Sequence, residues 1–209
     1  VTLQCGHTNL KMKIYFDGCS NTDGKYLSLV NGIRLGTAYK KIRWTKILSD
    51  KLNAQECNYA FSGGSNNRIL RNISREYFKE FHTYDLAVIQ MTFPHRFEWY
   101  DGDGKNFRTI GVDKFRIMTN SKRHFDSFHS FWKSYYEKGM YSDGCGEATE
   151  EICFNTVRSI CKSKNVPLIL LSCNPDTKLQ FDYMMKKSHP TKEEQKQLSE
   201  DIYEIYTKL

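Results

Sequence analysis

Apolar and polar positions along the 209 residues form two kinds of segment that alternate. Short, nearly continuous apolar runs are separated by longer stretches in which apolar residues recur three and four apart. The first run, Met12-Lys-Ile-Tyr-Phe16, predicts a strand over 12–17, and a second strand is expected over 56–61. A third is expected over Asp85-Leu-Ala-Val-Ile-Gln-Met91 and a fourth over Val166-Pro-Leu-Ile-Leu-Leu-Ser-Cys173. These last two have the pattern of strands buried on both faces. Helices are expected over 39–52 (Ile42, Ile47, Leu48, Leu52), after Ser65-Asn66 (Ile69, Leu70, Ile73, Tyr77, Phe81) and near the C-terminus (Leu198, Ile202, Ile205). Ser65 and Asn66 are good helix-start residues, and Thr191-Lys-Glu-Glu194 reads as a capping box. Strands alternating with helices predict an α/β fold with a mostly parallel sheet covered on both faces.

Two stretches break the alternation. Residues 18–37 are rich in Gly, Asn and Ser and read as a loop. Residues 92–165 are too long for a simple connection. They open turn-rich (Asp101-Gly-Asp-Gly104), continue through an aromatic, helix-like segment (His124 to Tyr136) and end in a crossover helix over about 147–163. The resulting insertion, about 92–146, leaves from a strand's carboxyl end, where open α/β sheets bind ligands, so it is placed to form a lid or pocket wall. Simple packing of its aromatics is the blander expectation. Residues 1–11 read as an N-terminal extension and 12–209 as a single domain.

Composition narrows the function classes. An apolar share of 39%, with 14% aromatic, suits a packed globule rather than a disordered chain. No apolar run approaches the ~20 residues of a membrane helix, and the first residues lack the features of a signal peptide. A cytoplasmic, reducing location is the corresponding expectation. Seven cysteines with no Cys-x-x-Cys pair imply neither a disulfide framework nor a structural zinc, and Cys57, Cys161 and Cys173 read as small buried hydrophobes. His124 and His129 read as packing or solvated residues, so no metal and no cofactor are expected. The net charge of +7 invites a nucleic-acid partner, but the basic residues are dispersed. Arg68, Arg71 and Arg75 make one helical stripe that a solvated face explains equally well.

Candidate chemistry lies at the ends of the expected strands. Ser20 follows Gly18 at a strand-to-loop turn, where its hydroxyl would project above the sheet. Gly63 and Gly64 allow a backbone N–H to approach closely. His189, stiffened by Pro190, precedes the last helix, whose positive end favours a neutral base. A serine needs such a base, and the oxyanion it generates needs preorganised donors. Arg96 and Glu98, just past the third strand, are as consistent with a loop-steadying ion pair as with substrate contact, and Asn66 is most simply a helix-start residue.

Gly18-Cys19-Ser20, Asn58-x-Ala60-x-x-Gly63-x-Ser65-Asn66 and His189-Pro190 resemble, in order, blocks I, II and V of the SGNH (GDSL) hydrolase superfamily. More narrowly, the chain resembles SGNH-like proteins of phages and marine viruses, in which Gly-Cys-Ser replaces Gly-Asp-Ser. The run Val88-Ile-Gln-Met-Thr92-Phe-Pro-His-Arg96-Phe-Glu98 resembles that subgroup's third strand and following loop. The resemblance implies a flavodoxin-like three-layer α/β/α sandwich and an esterase acting on acyl or acetyl esters of carbohydrates or lipids. It makes Ser20 the nucleophile and an oxyanion donor, Gly63 a second donor and His189 the general base. Asn66, His95 and Arg96 are then candidate substrate contacts. A viral origin would put the protein in host cytoplasm or a virion.

Two positions depart from the family pattern. The third block reads Thr92-Phe-Pro-His95 with no asparagine, and Lys186 stands where the family has an aspartate three residues before the histidine. Asp182 and Asp176 lie upstream, off register, and Asp182 is the candidate third member of the site. The alternative is a protein of the same fold that binds a glycan or a virion component without cleaving it. Nucleic-acid binding ranks behind both, and Cys19 is a weaker nucleophile candidate than Ser20.

Overall fold

In the computed structural model the apolar runs become adjacent parallel strands. The structure describes residues 11–30, 33–34, 36–79, 81–94, 96–100, 107–113, 116–118, 143–186 and 188–209. In chain order these form β1 (Lys13–Asp17), α1 (Ser20–Asp23), β2 (Leu29–Val30), β3 (Ile33–Arg34), α2 (Trp44–Lys51), β4 (Gln55–Asn58), α3 (Asn66–Tyr77) and β5 (Leu86–Met91). There follow β6 (Arg96–Tyr100), β7 (Phe107–Asp113), β8 (Arg116–Met118), α4 (Asp143–Ser163), β9 (Leu168–Ser172), β10 (Tyr183–Met184) and α5 (Lys192–Tyr206).

The central sheet has the order β10-β9-β5-β1-β4, and all its pairs are parallel. Numbered by first appearance, its strands run 2-1-3-4-5, the flavodoxin-like arrangement. Alternate residues of β5 explain the layers. Leu86 and Val88 face one side, with Ile14 and Phe16 of β1, and pack on Trp44 and Leu48 of α2 and Leu198 and Ile202 of α5. Ala87, Ile89 and Met91 face the other, with Tyr15, and pack on Ile69 and Ile73 of α3 and Val157 and Cys161 of α4. Both faces of β1 and β5 are therefore covered, as their unbroken apolar character requires.

The structure revises several expected elements. The strand expected over 56–61 is Gln55–Asn58, because the Asn58 carboxamide turns back to accept from Ala60 N at 2.9 Å. The helix expected over 39–52 is a 3-10 turn at Ala38–Lys41 followed by α2. Arg43 breaks it with an extended backbone, while its guanidinium forms two 3.0 Å bonds with Glu56 and one of 3.1 Å with the Asp23 carbonyl. A fifth strand, β10, was not expected. The first part of the insertion is not merely turns: β6, β7 and β8 form an antiparallel three-stranded sheet. Residues 1–10 of the expected extension, the Asp101–Gly104 turn and the aromatic segment with His124 and His129 lie outside the described residues.

One polar group is built into the core. Asp17, at the carboxyl end of β1, is fully buried. Its carboxylate accepts from Tyr15 Oη (3.1 Å), Gly18 N (2.8 Å), Arg68 Nη1 (3.2 Å) and Asn72 Nδ2 (3.0 Å), which ties β1 to α3. Burial pushes the carboxyl up to about 6, and the Arg68 charge and these hydrogen bonds only partly offset it. The native carboxyl thus holds its proton to about pH 6, whereas the unfolded one loses it near 3.8. Its contribution to stability is therefore full below the unfolded value and shrinks by about 3 kcal/mol as pH rises through the native one. Urea unfolding of wild type and Asp17→Asn at pH 4 and pH 7 tests this. The wild type should gain on the variant at the lower pH, and a difference independent of pH would refute it.

Candidate functional site

The site begins where β1 ends. Gly18 has φ +156°, and a Cβ there would lie 2.6 Å from Thr22 Oγ1 and 2.9 Å from Gln90 Cβ, too close for any side chain. The chain then starts α1, with the Cys19 carbonyl accepting from Thr22 N (3.1 Å) and Asp23 N (2.9 Å). Gly24, left-handed at φ +71°, closes the turn by donating to the Ser20 carbonyl at 2.8 Å. Ser20 is the first residue of this turn, so its N–H has no carbonyl one turn back within the helix.

Cys19 and Ser20 point to different surroundings. The Cys19 thiol is buried against the amide of Gln90, whose Nε2 donates to Cys19 Sγ at 3.1 Å and to Cys173 Sγ at 3.3 Å. A hydrogen bond shared with Cys19, together with burial, holds the Cys173 thiol well above its usual range. Ser20 is only partly buried, and its Oγ lies 2.8 Å from Nε2 of His189, which is solvent-exposed in the loop between β10 and α5. Ser20, not Cys19, therefore meets the histidine.

The second glycine-bearing segment is latched to the turn that carries Ser20. Asn58 Nδ2 donates to the Thr22 carbonyl (3.2 Å) and to Thr45 Oγ1 (3.0 Å). Asp23 Oδ2 accepts from Ser62 Oγ (2.7 Å) and Ser62 N (3.2 Å). Gly64 N closes a turn onto the Phe61 carbonyl at 2.8 Å, with Gly63 at φ +81° in the position that a type II turn reserves for glycine. A Cβ on Gly64 would meet the Phe61 carbonyl oxygen at 2.9 Å and that of Gly18 at 3.1 Å, so the two glycine segments touch backbone to backbone.

Other expected site residues are engaged elsewhere. The buried Asn66 carboxamide accepts from Thr92 N (2.8 Å) and donates to the Thr92 carbonyl (3.0 Å), pinning the start of α3 to the loop after β5. Arg96 donates to Thr92 Oγ1 at 3.0 Å and covers the Phe93 ring. The loop-steadying pair expected between Arg96 and Glu98 is instead a two-bond pair of Glu98 with Arg71 (2.8 and 2.9 Å), joining α3 to β6. Asp182 accepts from Leu170 N at 2.6 Å and donates its own N–H to the Leu170 carbonyl at 2.9 Å, so its carboxylate faces the middle of β9. Lys186 pairs with Glu194. Among the described residues no carboxylate is bonded to His189; His95 lies outside them. Among them too, no cluster of three His, Cys, Asp or Glu could hold a metal, and no helix is long and apolar enough to cross a membrane.

The Ser20–His189 contact has the geometry of a hydroxyl hydrogen-bonded to a general base, open to solvent at the carboxyl edge of the sheet. Gln90 and Asp23, which hold the turn in place, were not recognised in the sequence. Each lies in or beside a segment that resembles a family block, but their own roles depend on partners distant in the chain, Gln90 on Thr22 and Cys19, and Asp23 on Ser62.

No family model and no curated protein matches the chain. Among solved structures it is similar to the psychrotrophic esterase EstA from a Pseudoalteromonas species (TM-score 0.49, 11% identity, 94% of this chain and 97% of that one). It is also similar to a family two carbohydrate esterase from Cellvibrio japonicus (TM-score 0.42, 12% identity, 94% and 61%). A third is a G-D-S-L family protein from Desulfitobacterium hafniense DCB-2 (TM-score 0.38, 14% identity, 93% and 99%).

Gly18→Ala tests the close approach on which the turn rests. Forcing a methyl against Thr22 and Gln90 should destabilise the protein by ~2 kcal/mol, read as a lower urea midpoint at unchanged slope. An unchanged midpoint would show that the contact is not tight.

Proposed function

We propose that the protein is a serine ester hydrolase of the SGNH type, cleaving acyl or acetyl esters carried on carbohydrate or lipid. The observation that carries this reading is the 2.8 Å contact between Ser20 Oγ and His189 Nε2, made by residues that resemble the family's first and last blocks. Ser20 Oγ attacks the acyl carbon while its proton passes to His189 Nε2. The N–H groups of Ser20 and Gly63 receive the developing oxyanion. His189 then gives the proton to the departing alkoxide, leaving an acyl-serine. A water deprotonated by the same nitrogen hydrolyses it and regenerates Ser20.

The site works as a Ser–His dyad in this reading, since Asp182 is held by Leu170 and Lys186 occupies the family's aspartate position. With no block III asparagine, two oxyanion donors act in place of three, and one lost donor typically costs ~10²–10³ in kcat. Slow turnover is the expected consequence. The same two departures favour the second reading, a protein of this fold that binds a glycan or virion component without cleaving it. Nucleic-acid binding loses its main support, because Arg68 and Arg71 of the basic stripe are paired with Asp17 and Glu98.

A fluorophosphonate probe separates the readings. Wild type and Cys19→Ala should be labelled, and Ser20→Ala and His189→Ala should not. If the wild type fails to react, the hydrolase reading falls and the binding reading takes its place. Labelling that survives in Ser20→Ala would remove Ser20 from its assigned role.

A further inference from the structure

A histidine on an exposed loop, bonded to its serine through one ring nitrogen, is free to swing unless something fixes the ring plane. In a three-residue site a carboxylate on the other nitrogen does this. Here the structure offers a different device. The ring of Tyr26 lies parallel to the His189 imidazole, with centroids 4.3 Å apart and 17° between planes. The Tyr26 hydroxyl donates to the carbonyl of Pro190, the next residue, at 3.0 Å. That hydroxyl in turn accepts from Gln195 Nε2.

Gln195 is fully buried at the start of α5, and its Oε1 accepts from Trp44 N at 2.7 Å. Trp44, also fully buried, returns to the nucleophile turn: its indole Nε1 donates to the Asn21 carbonyl at 3.1 Å. The circuit Asn21–Trp44–Gln195–Tyr26–Pro190 thus refers Ser20 and His189 to one buried pair of side chains. Burial holds the Tyr26 hydroxyl well above its usual range, so it stays protonated and remains a donor at neutral pH.

We propose that Tyr26 is a positioning residue that holds the His189 imidazole against Ser20 in place of a carboxylate. The proposal rests on the Ser20–His189 hydrolase reading for its catalytic consequence. The stack fixes the ring plane, and the bond to Pro190 fixes the loop that carries the ring. When the imidazole takes the serine proton, the resulting cation lies over the π face of the phenol, which is attractive. The stack is therefore worth more during reaction than at rest, as a catalytic aid must be.

Three variants test this: Tyr26→Phe keeps the ring and loses the hydroxyl, Tyr26→Leu keeps apolar bulk without a ring, and Ser20→Ala serves as the inactive control. Three measurements are made on each. Far-UV circular dichroism first establishes that a variant is folded. Fluorophosphonate inactivation is then resolved into its maximal rate and the probe concentration giving half that rate, and the imidazole carbon-bound protons of His189 are followed by NMR. In Tyr26→Leu the maximal rate should fall roughly 10- to 100-fold with little change in half-saturation, as expected for a displaced base. The His189 ring protons should lose the upfield displacement caused by the stacked ring. Tyr26→Phe should recover most of the rate and the upfield displacement. A folded Tyr26→Leu that reacts at the wild-type rate would overturn the proposal, and a Tyr26→Phe that falls as far as Tyr26→Leu would remove the stack as the device that holds the ring. If the wild type does not react at all, the hydrolase reading fails separately. The NMR displacement then decides whether Tyr26 positions His189: its presence in wild type and Ser20→Ala and absence in Tyr26→Leu supports the stack, and no displacement in wild type removes it.

Discussion

The arrangement at the carboxyl edge of the sheet depends on how closely Gly18 approaches Gln90. Gly18 directly follows β1, which pairs in parallel with β5 bearing Gln90, and Gln90 is fully buried, so its amide must find partners within the protein. It finds them in Thr22 Oγ1, at 2.7 Å, and in the thiols of Cys19 and Cys173. Those partners are within reach only because residue 18 has no side chain. Turning Cys19 inward and anchoring Thr22 leaves Ser20 directed toward His189. The buried amide thus acts on the hydroxyl through backbone geometry, without touching it. In the proposed hydrolase, where a displacement of about an ångström at the reacting pair costs on the order of 10²-fold in rate, such remote packing would bear directly on chemistry.

The distribution of charge follows the same logic. The chain carries a net +7, yet three of its arginines are committed to carboxylates between elements. Arg43 with Glu56 joins the entry of α2 to β4, Arg68 with Asp17 joins α3 to β1, and Arg71 with Glu98 joins α3 to β6. Pairs this far from water return little net stability, because desolvation offsets much of the attraction. Breaking one leaves a stranded charge, so their effect is to make alternative arrangements costly. Asp17 shows the balance: its carboxyl is driven upward by burial even with an arginine beside it. Two of the arginines that suggested a polyanion partner are thereby internal structural links.

The α/β class, the parallel sheet and four of its strands were legible in the chain because they follow from local periodicity. The unbroken apolar runs at Leu86–Met91 and Leu168–Ser172 have only one comfortable place, inside a sheet covered on both faces. The capping box at Thr191 was equally plain, since both of its partners lie within one turn. The two-residue β10 was not, being too short to carry a period. The antiparallel sheet β6-β7-β8 was hidden because its strands sit in a segment whose glycines and aspartates read as turns.

For the candidate site, residue types and chain order marked Ser20, Gly63 and His189 as candidates, and the structure brings the first and last of these together. Their mutual distances were not legible, because Ser20 and His189 are 169 residues apart and meet only when the sheet is assembled. The same limit applied to Asn66, Glu98 and Asp182. A side chain with two or more hydrogen-bonding sites takes whichever partners packing brings near, and here those were Thr92, Arg71 and Leu170. Tyr26 was invisible for the same reason: its 3-10 turn (Lys25–Ser28) sits in a segment that reads as a polar loop with no periodicity, and its partners His189, Pro190 and Gln195 are far along the chain. Local pattern therefore determined the class of fold and the kinds of candidate groups at its edge. Which groups touch was decided by long-range packing, because burial and hydrogen-bond satisfaction are settled between residues that the chain itself keeps apart.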